Sequence, residues 1–280
     1  MLIELAIADA YGAGFEYVKD EIVRTRNTLA GYVQHPRHPL PPGSYTDDTQ
    51  MSIAVAEVLV EGLPWTPEVL AERFVTAFKR DPRNGYAQGF YHFLQSVTGG
   101  ADFLARIKPD SDKSGGAMRA APVGVLPTIA EVIDYAARQA ALTHDTPDGR
   151  NAAAAAALMS HYFLYRLGPR RDLGHFVAAH VPGAWAEPYV GKVKETGWMS
   201  VQAAVTAVVA SDRMSDLLRR CVDFTGDVDT VAAIACAAAS ASDEVEQDLP
   251  RHLFDGLENG PYGRDYLIDL DRRLLALVRR

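Results

Sequence analysis

The stretch Gly43–Met51, GSYTDDTQM, places Asp47 and Asp48 directly before the apolar run SIAVAEVLV. Thr46 is a suitable helix N-cap, and acidic side chains are favourable in the first turn of a helix. A capped helix start therefore explains part of the pattern. It does not explain a doubled carboxylate beside so apolar a helix, because a buried ionised carboxylate needs a cation, hydrogen-bond donors or a proton. We expect the rest of the chain to supply that partner.

A second stretch with the same chemistry follows roughly 180 residues later, in Phe224–Thr230, FTGDVDT. Here Asp227, Asp229 and Thr230 again stand before a helix of small residues, and taken alone this too is a helix cap. Two acidic helix starts in one chain can converge on one pocket, where carboxylate and hydroxyl oxygens are the ligands that Mg²⁺ or Mn²⁺ prefer. The two stretches together favour a metal site.

Two glycine-containing motifs are candidates for the same pocket. In ADAYGAGFE, residues 8–16, the glycines permit a tight exit from the first helix that returns Glu16 to the pocket, the alternative being a helix end with solvated acids. In DKSGGAMRAAP, residues 112–122, a Ser-Gly-Gly turn offers backbone N–H groups that suit a pyrophosphate, the alternative being a plain connector.

The fold class follows from helical patterns that recur along the whole chain. Apolar residues at three- and four-residue spacing, or Ala-rich runs, occur in segments 2–10, 49–62, 66–80, 126–142, 149–167, 214–224, 229–241 and 265–280. Segment 200–210 is ambiguous by periodicity, but its alanines favour a helix. No stretch is long or biased enough for an interdomain linker. The sequence predicts one all-α domain spanning residues 1–280.

Composition narrows the functional classes. The chain has 280 residues, 48% of them hydrophobic and 23% charged, and a formal net charge of −8, which argues against nucleic acid held by general electrostatics. Two cysteines make no disulfide framework, and we read neither a signal peptide nor a membrane span, so we expect a cytoplasmic monomer. We interpret His35 and His38 as surface-loop residues, and His161 as a packed or partly exposed helix residue.

The motifs ADAYGAGFE, YTDDTQM, SGGAMRAAP, Thr143-His144 and GDVDT resemble, in this order, those of the ADP-ribosylglycohydrolase family. The resemblance covers most of the chain, and the paired TDD and GDxDT signatures are specific in combination. This chain departs from the usual pattern at Ala8, where relatives have glycine, and at Ser114, where they commonly have asparagine. The resemblance implies a compact orthogonal bundle of helices with a binuclear Mg²⁺ or Mn²⁺ centre.

The resemblance also implies roles for particular residues. Two metal ions would be held by Thr46, Asp47, Asp48, Asp227, Asp229 and Thr230. Catalysis would fall to Asp47, Asp48 or Glu16, which would orient or deprotonate water. The candidate substrate-binding residues are Ser114, Gly115, Gly116 and Met118 in the phosphate-contacting loop, His144 on the substrate side, and Trp198 against the adenine.

The reaction implied is hydrolysis of the bond between the distal ribose of ADP-ribose and an acceptor. Arginine on a modified protein is our first choice of acceptor. The alternatives are O-acetyl-ADP-ribose, serine-linked ADP-ribose and an ADP-ribosylated nucleic-acid base. A protein that binds ADP-ribose or a toxin without turnover is the alternative from another functional class.

Overall fold

Fifteen α-helices form the regular structure of residues 1–278, the part of the chain that the computed structural model describes, together with 3-10 helices at Ala121–Val125 and Arg170–Asp172. In chain order the α-helices are α1 (Leu2–Ala13), α2 (Asp20–Arg26), α3 (Asp47–Val60), α4 (Pro67–Arg80), α5 (Gln88–Ser96), α6 (Gly100–Arg106), α7 (Gly115–Met118), α8 (Ile129–Ala141), α9 (Pro147–Leu164), α10 (Leu173–His180), α11 (Gly197–Val209), α12 (Met214–Asp223), α13 (Val228–Ala239), α14 (Arg251–Gly256) and α15 (Arg264–Leu275). Across residues 1–278 the extended backbone forms isolated β-bridges rather than strands. The all-α prediction is confirmed.

Threonine caps explain where several long helices begin. The side-chain oxygens of Thr66, Thr128 and Thr146 accept hydrogen bonds from backbone N–H groups in the first turns of α4, α8 and α9. In α4 and α9 the next residue is proline, whose fixed φ suits the first helical position and whose missing N–H has no intrahelical partner there in any case. Local sequence therefore determines these boundaries.

All eight helical segments expected from the sequence contain helices, and the ambiguous segment 200–210 lies in α11. The short helices α2, α5, α6, α7, α10 and α14 have weaker sequence signals and were not expected. The Ser-Gly-Gly motif is not a simple turn, since Gly115–Met118 form one helical turn, α7. The expected C-terminal helix ends at Leu275 as α15, and Arg279 and Arg280 lie outside the described residues.

The core is built around α13, which is buried along its whole length and packs against α1, α11 and α12. The Ala152–Ala157 run of α9 is also buried, and α9 packs against α7, α8, α11 and α13. Small side chains allow helix axes to approach closely, so the alanine runs act as close-packing surfaces rather than as low-complexity sequence. The first turn of α13, which carries Asp229, is thereby held against the end of α1.

Gly12 is the point of closest approach between α1 and α13. An added Cβ at Gly12 would lie 2.4 Å from the Cα of Asp229 and 2.8 Å from its backbone nitrogen. Both are backbone atoms that cannot rotate away, so any side chain here would separate the two helices. The glycine noticed in the sequence as a turn element therefore serves helix packing.

No helix among residues 1–278 combines the length and the apolar character that crossing a membrane requires. Helix α9, the longest at 18 residues, owes its burial to neighbouring helices of the same chain.

The Gly12 contact generates the first prediction. Gly12→Ala should lower the free energy of unfolding by about 1–3 kcal/mol, because an overpacked methyl group must displace the backbone of Asp229. Urea unfolding followed by circular dichroism measures this. Gly31→Ala is the matched control, since no atom lies within 4 Å of its added Cβ, and we expect a change within about 0.5 kcal/mol. Equal stabilities of the two variants would contradict the packing role.

Candidate active site

A cavity of about 570 Å³ is lined by the first turns of α3, α7 and α13 and by the loop after α1. Its volume is typical of a pocket for a nucleotide-sized ligand. The site residues expected from the sequence that line it are Glu16, Asp47, Asp48, Ser114, Gly115, Met118, His144, Asp227, Asp229 and Thr230. Three others, Thr46, Gly116 and Trp198, do not line it. Segments that are distant in sequence therefore meet on one wall, as the two acidic helix starts suggest.

Carboxylates from two of these segments form a compact group. Glu16, Asp227 and Asp229 each present one carboxylate oxygen, and the three atoms lie within 4.8 Å of one another. The Ser200 hydroxyl donates to Asp227 Oδ2 at 3.3 Å. Asp229 is part of α13, whereas Glu16 follows α1, so the close contact of these two helices brings the acids together.

Two buried carboxylate oxygens of the site face no donor. Asp48 Oδ2 and Asp229 Oδ1 are inaccessible to solvent and have no hydrogen-bond partner among residues 1–278. Buried polar atoms in native proteins are normally satisfied, and an orphaned acceptor indicates a ligand such as an ion or water. The donor set consists of carboxylate and hydroxyl oxygens, which fits a hard divalent cation such as Mg²⁺ or Mn²⁺ rather than a softer metal.

The electrostatics of the acidic group also require a compensating positive charge. Burial, followed by the charges of Asp227 and Asp9, raises the pKa of Glu16 to about 7. Burial raises the pKa of Asp47 and Asp48 well above the ordinary range of aspartate, and neighbouring carboxylates add to the effect. Carboxylates in this arrangement cannot all be ionised without compensation. A bound cation or added protons must neutralise them near neutral pH.

Asp9 holds the acidic segment in place without lining the cavity. Its fully buried carboxylate accepts hydrogen bonds from the backbone N–H groups of Thr46 at 3.0 Å and Thr49 at 3.1 Å, and from their hydroxyls at 2.7 and 2.6 Å. Thr46 also caps α3 by accepting from the Asp48 N–H at 3.4 Å. Asp9 therefore fixes the direction in which Asp47 and Asp48 leave the helix start.

His144 forms the wall beside the Ser-Gly-Gly motif. An added Cβ at Gly115 would lie 2.9 Å from His144 Cε1, so the backbone of α7 packs on the imidazole ring. The Thr143 hydroxyl lies 2.7 Å from His144 Nδ1. Burial, with a smaller contribution from Arg119, lowers the pKa of His144 to about 3. The imidazole is therefore neutral at physiological pH and offers hydrogen bonds without a charge.

Arg119 is a buried cation on the cavity wall that sequence reasoning gave no role. Its Nε donates to Gln139 Oε1 at 2.6 Å, its Nη2 donates to the Gln139 carbonyl at 3.0 Å, and its guanidinium lies over Phe74. No carboxylate among residues 1–278 is within 4.0 Å of it. Gln139 Nε2 donates in turn to the Gly116 carbonyl at 2.7 Å, so this network holds α7. The sequence signal was a single arginine within an apolar run.

Trp198 lies on a different cavity, of about 270 Å³, together with Trp185 and Gln202. Its ring stands edge-on to Tyr189 at 6.4 Å, and the residue is 38% exposed. The structure therefore does not bring Trp198 to the acidic cavity. Its role against a base stays a prediction.

The histidines outside the cavity have structural contacts. His161 is buried, with Nδ1 3.1 Å from the Gly124 carbonyl oxygen, as expected for a packed helix residue. The surface-loop interpretation of His35 is wrong in one respect, because the side chain is buried. Its Nε2 lies 2.9 Å from the Glu16 carbonyl oxygen, and its Nδ1 accepts from the His38 N–H at 2.9 Å. His35 therefore fastens its loop to the backbone of Glu16, while His38 is exposed as expected.

The fold and the site together define an all-α protein with an acidic cavity whose carboxylate oxygens fit a divalent cation. The chain belongs to the ADP-ribosylglycohydrolase family, whose family model matches residues 1–280. Members of this family are hydrolases and are in general metal-dependent. The family expected from the sequence motifs is confirmed.

Individual relatives give the extent of the similarity. The ADP-ribosyl-[dinitrogen reductase] glycohydrolase of Rhodospirillum rubrum is 26% identical, over 88% of this chain and 85% of the relative. The ADP-ribosylarginine hydrolase Tri1 of Serratia proteamaculans is 20% identical, over 86% of this chain and 69% of the relative. The ADP-ribosylhydrolase ARH3 of Xenopus tropicalis is 32% identical, but only over 43% of this chain and 37% of the relative.

A solved structure supports the fold. The chain described as an "ADP-ribosylglycohydrolase-related protein complex" superposes with a TM-score of 0.74 over 99% of this chain and 95% of that chain, at 22% identity. At this identity the match bears on the fold alone, and it confirms the expected helical architecture.

The acidic site predicts a pH-dependent stabilisation by metal. Without metal, the raised pKa of Glu16 favours the folded state at low pH. This contribution to the free energy of unfolding is lost as the pH rises from the ordinary pKa of glutamate to about 7. Divalent cations need ionised ligands, so their stabilising effect should grow over the same window. We expect the Tm difference between Mg²⁺- or Mn²⁺-loaded and EDTA-treated protein to be larger at about pH 7.5 than at about pH 5.5. The same difference at both values would contradict a carboxylate-bound cation.

The Asp9 contacts predict a stability effect from a residue that lies off the cavity. Asp9→Asn should destabilise the fold by about 1.5–3 kcal/mol, because an amide nitrogen replaces a charged acceptor that faces N–H and O–H donors. Urea unfolding measures the loss. Asp134→Asn serves as the control, since Asp134 makes an exposed ion pair with Arg138 in α8 and should contribute about 0.5 kcal/mol or less. If the two variants were equally stable, Asp9 would not anchor α3.

Proposed function

We propose that this protein hydrolyses the glycosidic bond between ADP-ribose and an acceptor, with the arginine side chain of a modified protein as the preferred acceptor. One observation carries the proposal. The acids of α3, of α13 and of the loop after α1 line a single cavity of about 570 Å³, in which Asp48 Oδ2 and Asp229 Oδ1 are buried without donors. A glycosidase uses one carboxylate to stabilise the positive charge on the sugar and another to activate water. The acids of this cavity can supply both.

The donor set suits two divalent cations, and we assign Mg²⁺ or Mn²⁺ to it. The proposed ligands are Thr46, Asp47, Asp48, Asp227, Asp229 and Thr230. Thr46 is the weakest member of this set, because its hydroxyl already donates to Asp9. When bound, the cations supply Lewis-acid activation and a template for the ribose hydroxyls.

Glu16 is the residue best placed to handle the proton of the attacking water. It is partly exposed, and it lines the cavity beside Asp227 and Asp229, so its carboxylate is accessible to a water molecule in the cavity. Asp47 and Asp48 are the alternatives, and their ionised forms would stabilise the positive charge that develops on the sugar. The water oxygen bonds to the anomeric carbon as the carbon–nitrogen bond breaks. One water proton goes to the departing arginine nitrogen, and the other stays on the new hydroxyl.

The diphosphate of the substrate is assigned to the wall formed by Ser114, Gly115 and Met118, with Gly116 beside them in α7 but not lining the cavity. Lys113 and Arg119 also line the cavity, and Lys113 pairs with Glu195 at 3.2 Å, whereas Arg119 has no carboxylate within 4.0 Å among residues 1–278. Neutral His144 packs under Gly115 and offers a surface for the nucleotide. Stacking of the adenine on Trp198 is part of the proposal and would require the base to extend to the second cavity.

Arginine is preferred as acceptor for two reasons. The relatives that match most of this chain include one named as a hydrolase of ADP-ribosylarginine. An acidic chain also attracts a cationic guanidinium and its basic surroundings. O-acetyl-ADP-ribose, serine-linked ADP-ribose and a modified nucleic-acid base are the competing acceptors, and binding without turnover is the competing function.

Initial rates on parallel substrates test the proposal. We expect wild-type protein with Mg²⁺ or Mn²⁺ to release ADP-ribose faster from ADP-ribosylated arginine peptide than from serine-linked peptide, poly(ADP-ribose) or modified DNA, and EDTA to stop the reaction. Asp229→Asn should reduce turnover by about 10²-fold or more at saturating metal, because the amide keeps the shape of the ligand but removes its charge.

The possible results separate the alternatives. A preference for another conjugate would change the acceptor and leave the site assignment intact. Full activity after exhaustive chelation would refute the metal site. ADP-ribose binding without turnover on any conjugate would refute the enzyme.

A further inference from the structure

A second cavity, of about 450 Å³, adjoins the acidic one on the far side of Glu16. Its walls are the loop that carries His38 and the segment from Asn84 to His92, which includes the start of α5. Three residues line both cavities, namely Glu16, Gly85 and Ala87. The two cavities therefore meet at the glutamate assigned to proton transfer.

Gly85 makes the partition between the cavities thin. Its φ of +108° is strained for any residue with a side chain. An added Cβ would lie 2.1 Å from Asp47 Oδ1 and 2.7 Å from the Cβ of Thr46. The backbone of the 84–92 segment thus touches the acid cluster directly, with no side chain between them. At Gly85 the two cavities are separated by the thickness of the backbone alone, and Glu16 is the side chain that they share.

The wall of the second cavity is fixed to the reacting centre. Buried His35 bridges the Glu16 carbonyl oxygen on one nitrogen and the backbone N–H groups of Arg37 and His38 on the other. This requires a neutral ring with the proton on Nε2, and burial lowers the pKa of His35 in the direction that favours it. The loop that bears His38 is therefore held at a set distance from Glu16.

The two cavities differ in chemistry. The acidic cavity carries carboxylates, two lysines and two arginines in addition to aromatic rings, and these charged groups suit a metal-bound ribose and a diphosphate. In the second cavity, the charge comes from Glu16 and the remaining functional groups are aromatic rings and neutral amides, including Tyr91, His92 and Gln88. Planar guanidinium groups stack on aromatic faces and pair with carboxylates, so this lining suits an arginine side chain.

We propose that the second cavity is the acceptor site, which receives the arginine side chain of the substrate while ADP-ribose occupies the acidic cavity. This inference rests on the proposed function. The glycosidic bond joins ADP-ribose to the acceptor. A substrate whose sugar occupies the acidic cavity therefore needs separate space for the acceptor, which is the leaving group. Glu16 lines the second cavity, whereas Ser114, Gly115 and Met118 of the diphosphate wall do not. After cleavage, the arginine leaves through the second cavity while ADP-ribose remains bound.

The test fills the second cavity without touching the first. Gln88 lines the second cavity but not the acidic one, and it is exposed at the start of α5. Gln95, on the same helix, is exposed and lines neither cavity, and its Oε1 lies 3.3 Å from Nδ1 of the lining residue His92. Gln95→Trp is therefore the control both for a tryptophan on this helix and for loss of the His92 contact. Three measurements are made on each variant and on wild type: KM and kcat for an ADP-ribosylarginine peptide, the same constants for ADP-ribosylguanidine, and the Kd of free ADP-ribose by calorimetry.

We expect Gln88→Trp to raise KM for the peptide by about tenfold or more, since the indole excludes the arginine stem, and to change kcat far less. The effect on ADP-ribosylguanidine, which lacks the stem, should be smaller, and the Kd of ADP-ribose should be unchanged. Gln95→Trp should match wild type in all three measurements. Inhibition by unmodified arginine peptide should be weakened in Gln88→Trp alone.

Two outcomes would overturn the proposal. If the KM of Gln88→Trp for the peptide equals that of Gln95→Trp, the acceptor does not use this cavity. If Gln88→Trp raises the Kd of ADP-ribose by as large a factor as the KM of the peptide, the second cavity binds the nucleotide rather than the acceptor. Failure of the proposed function is seen separately, in wild type, as lack of turnover of the arginine peptide. A preference of wild type for another conjugate would overturn the arginine assignment at that step.

Discussion

The structure depends on one buried carboxylate, that of Asp9, which accepts four hydrogen bonds from Thr46 and Thr49. This interaction joins α1 to the start of α3 and determines where Asp47 and Asp48 point. Burial raises the pKa of Asp9, and the hydrogen bonds from the N–H and O–H groups at the helix start oppose this shift by stabilising the ionised form. Without the Asp9 carboxylate, the acidic helix start would be free to turn its carboxylates toward solvent.

A group of acids in one cavity opposes folding, and the surrounding packing must offset it. The Ala-rich helices α9 and α13 provide that packing, because their small side chains let the helices approach closely and hold the acidic turns rigidly. Gly12 is the extreme case, where the backbones of α1 and α13 are in contact. A rigid acidic site is suited to cations, since the cost of bringing the carboxylates together is met during folding rather than on binding.

The acidic cavity and the second cavity differ in chemistry, so they would bind different parts of a substrate. The acidic cavity carries carboxylates, lysines and arginines, whereas the described residues that line the second cavity include Glu16 but neither lysine nor arginine. Glu16 stands where they meet, fixed through its backbone by His35. A substrate that spans both cavities would place its scissile bond beside Glu16, which is the geometry that hydrolysis with a separate leaving-group exit requires.

The sequence by itself determined the helical class, the long helices and the family, because Thr caps, proline at first helical positions and apolar spacing are local signals, and because the paired acidic motifs are distinctive in combination. It also indicated that the acids of residues 47–48 and 227–229 share a pocket. The tertiary structure alone decided the anchoring by Asp9, the burial of His35, the position of Trp198 outside the acidic cavity, and the second cavity behind Gly85. Each of these depends on contacts between segments far apart in the chain, and the distances between such segments are set by how the helices pack, which local patterns do not encode.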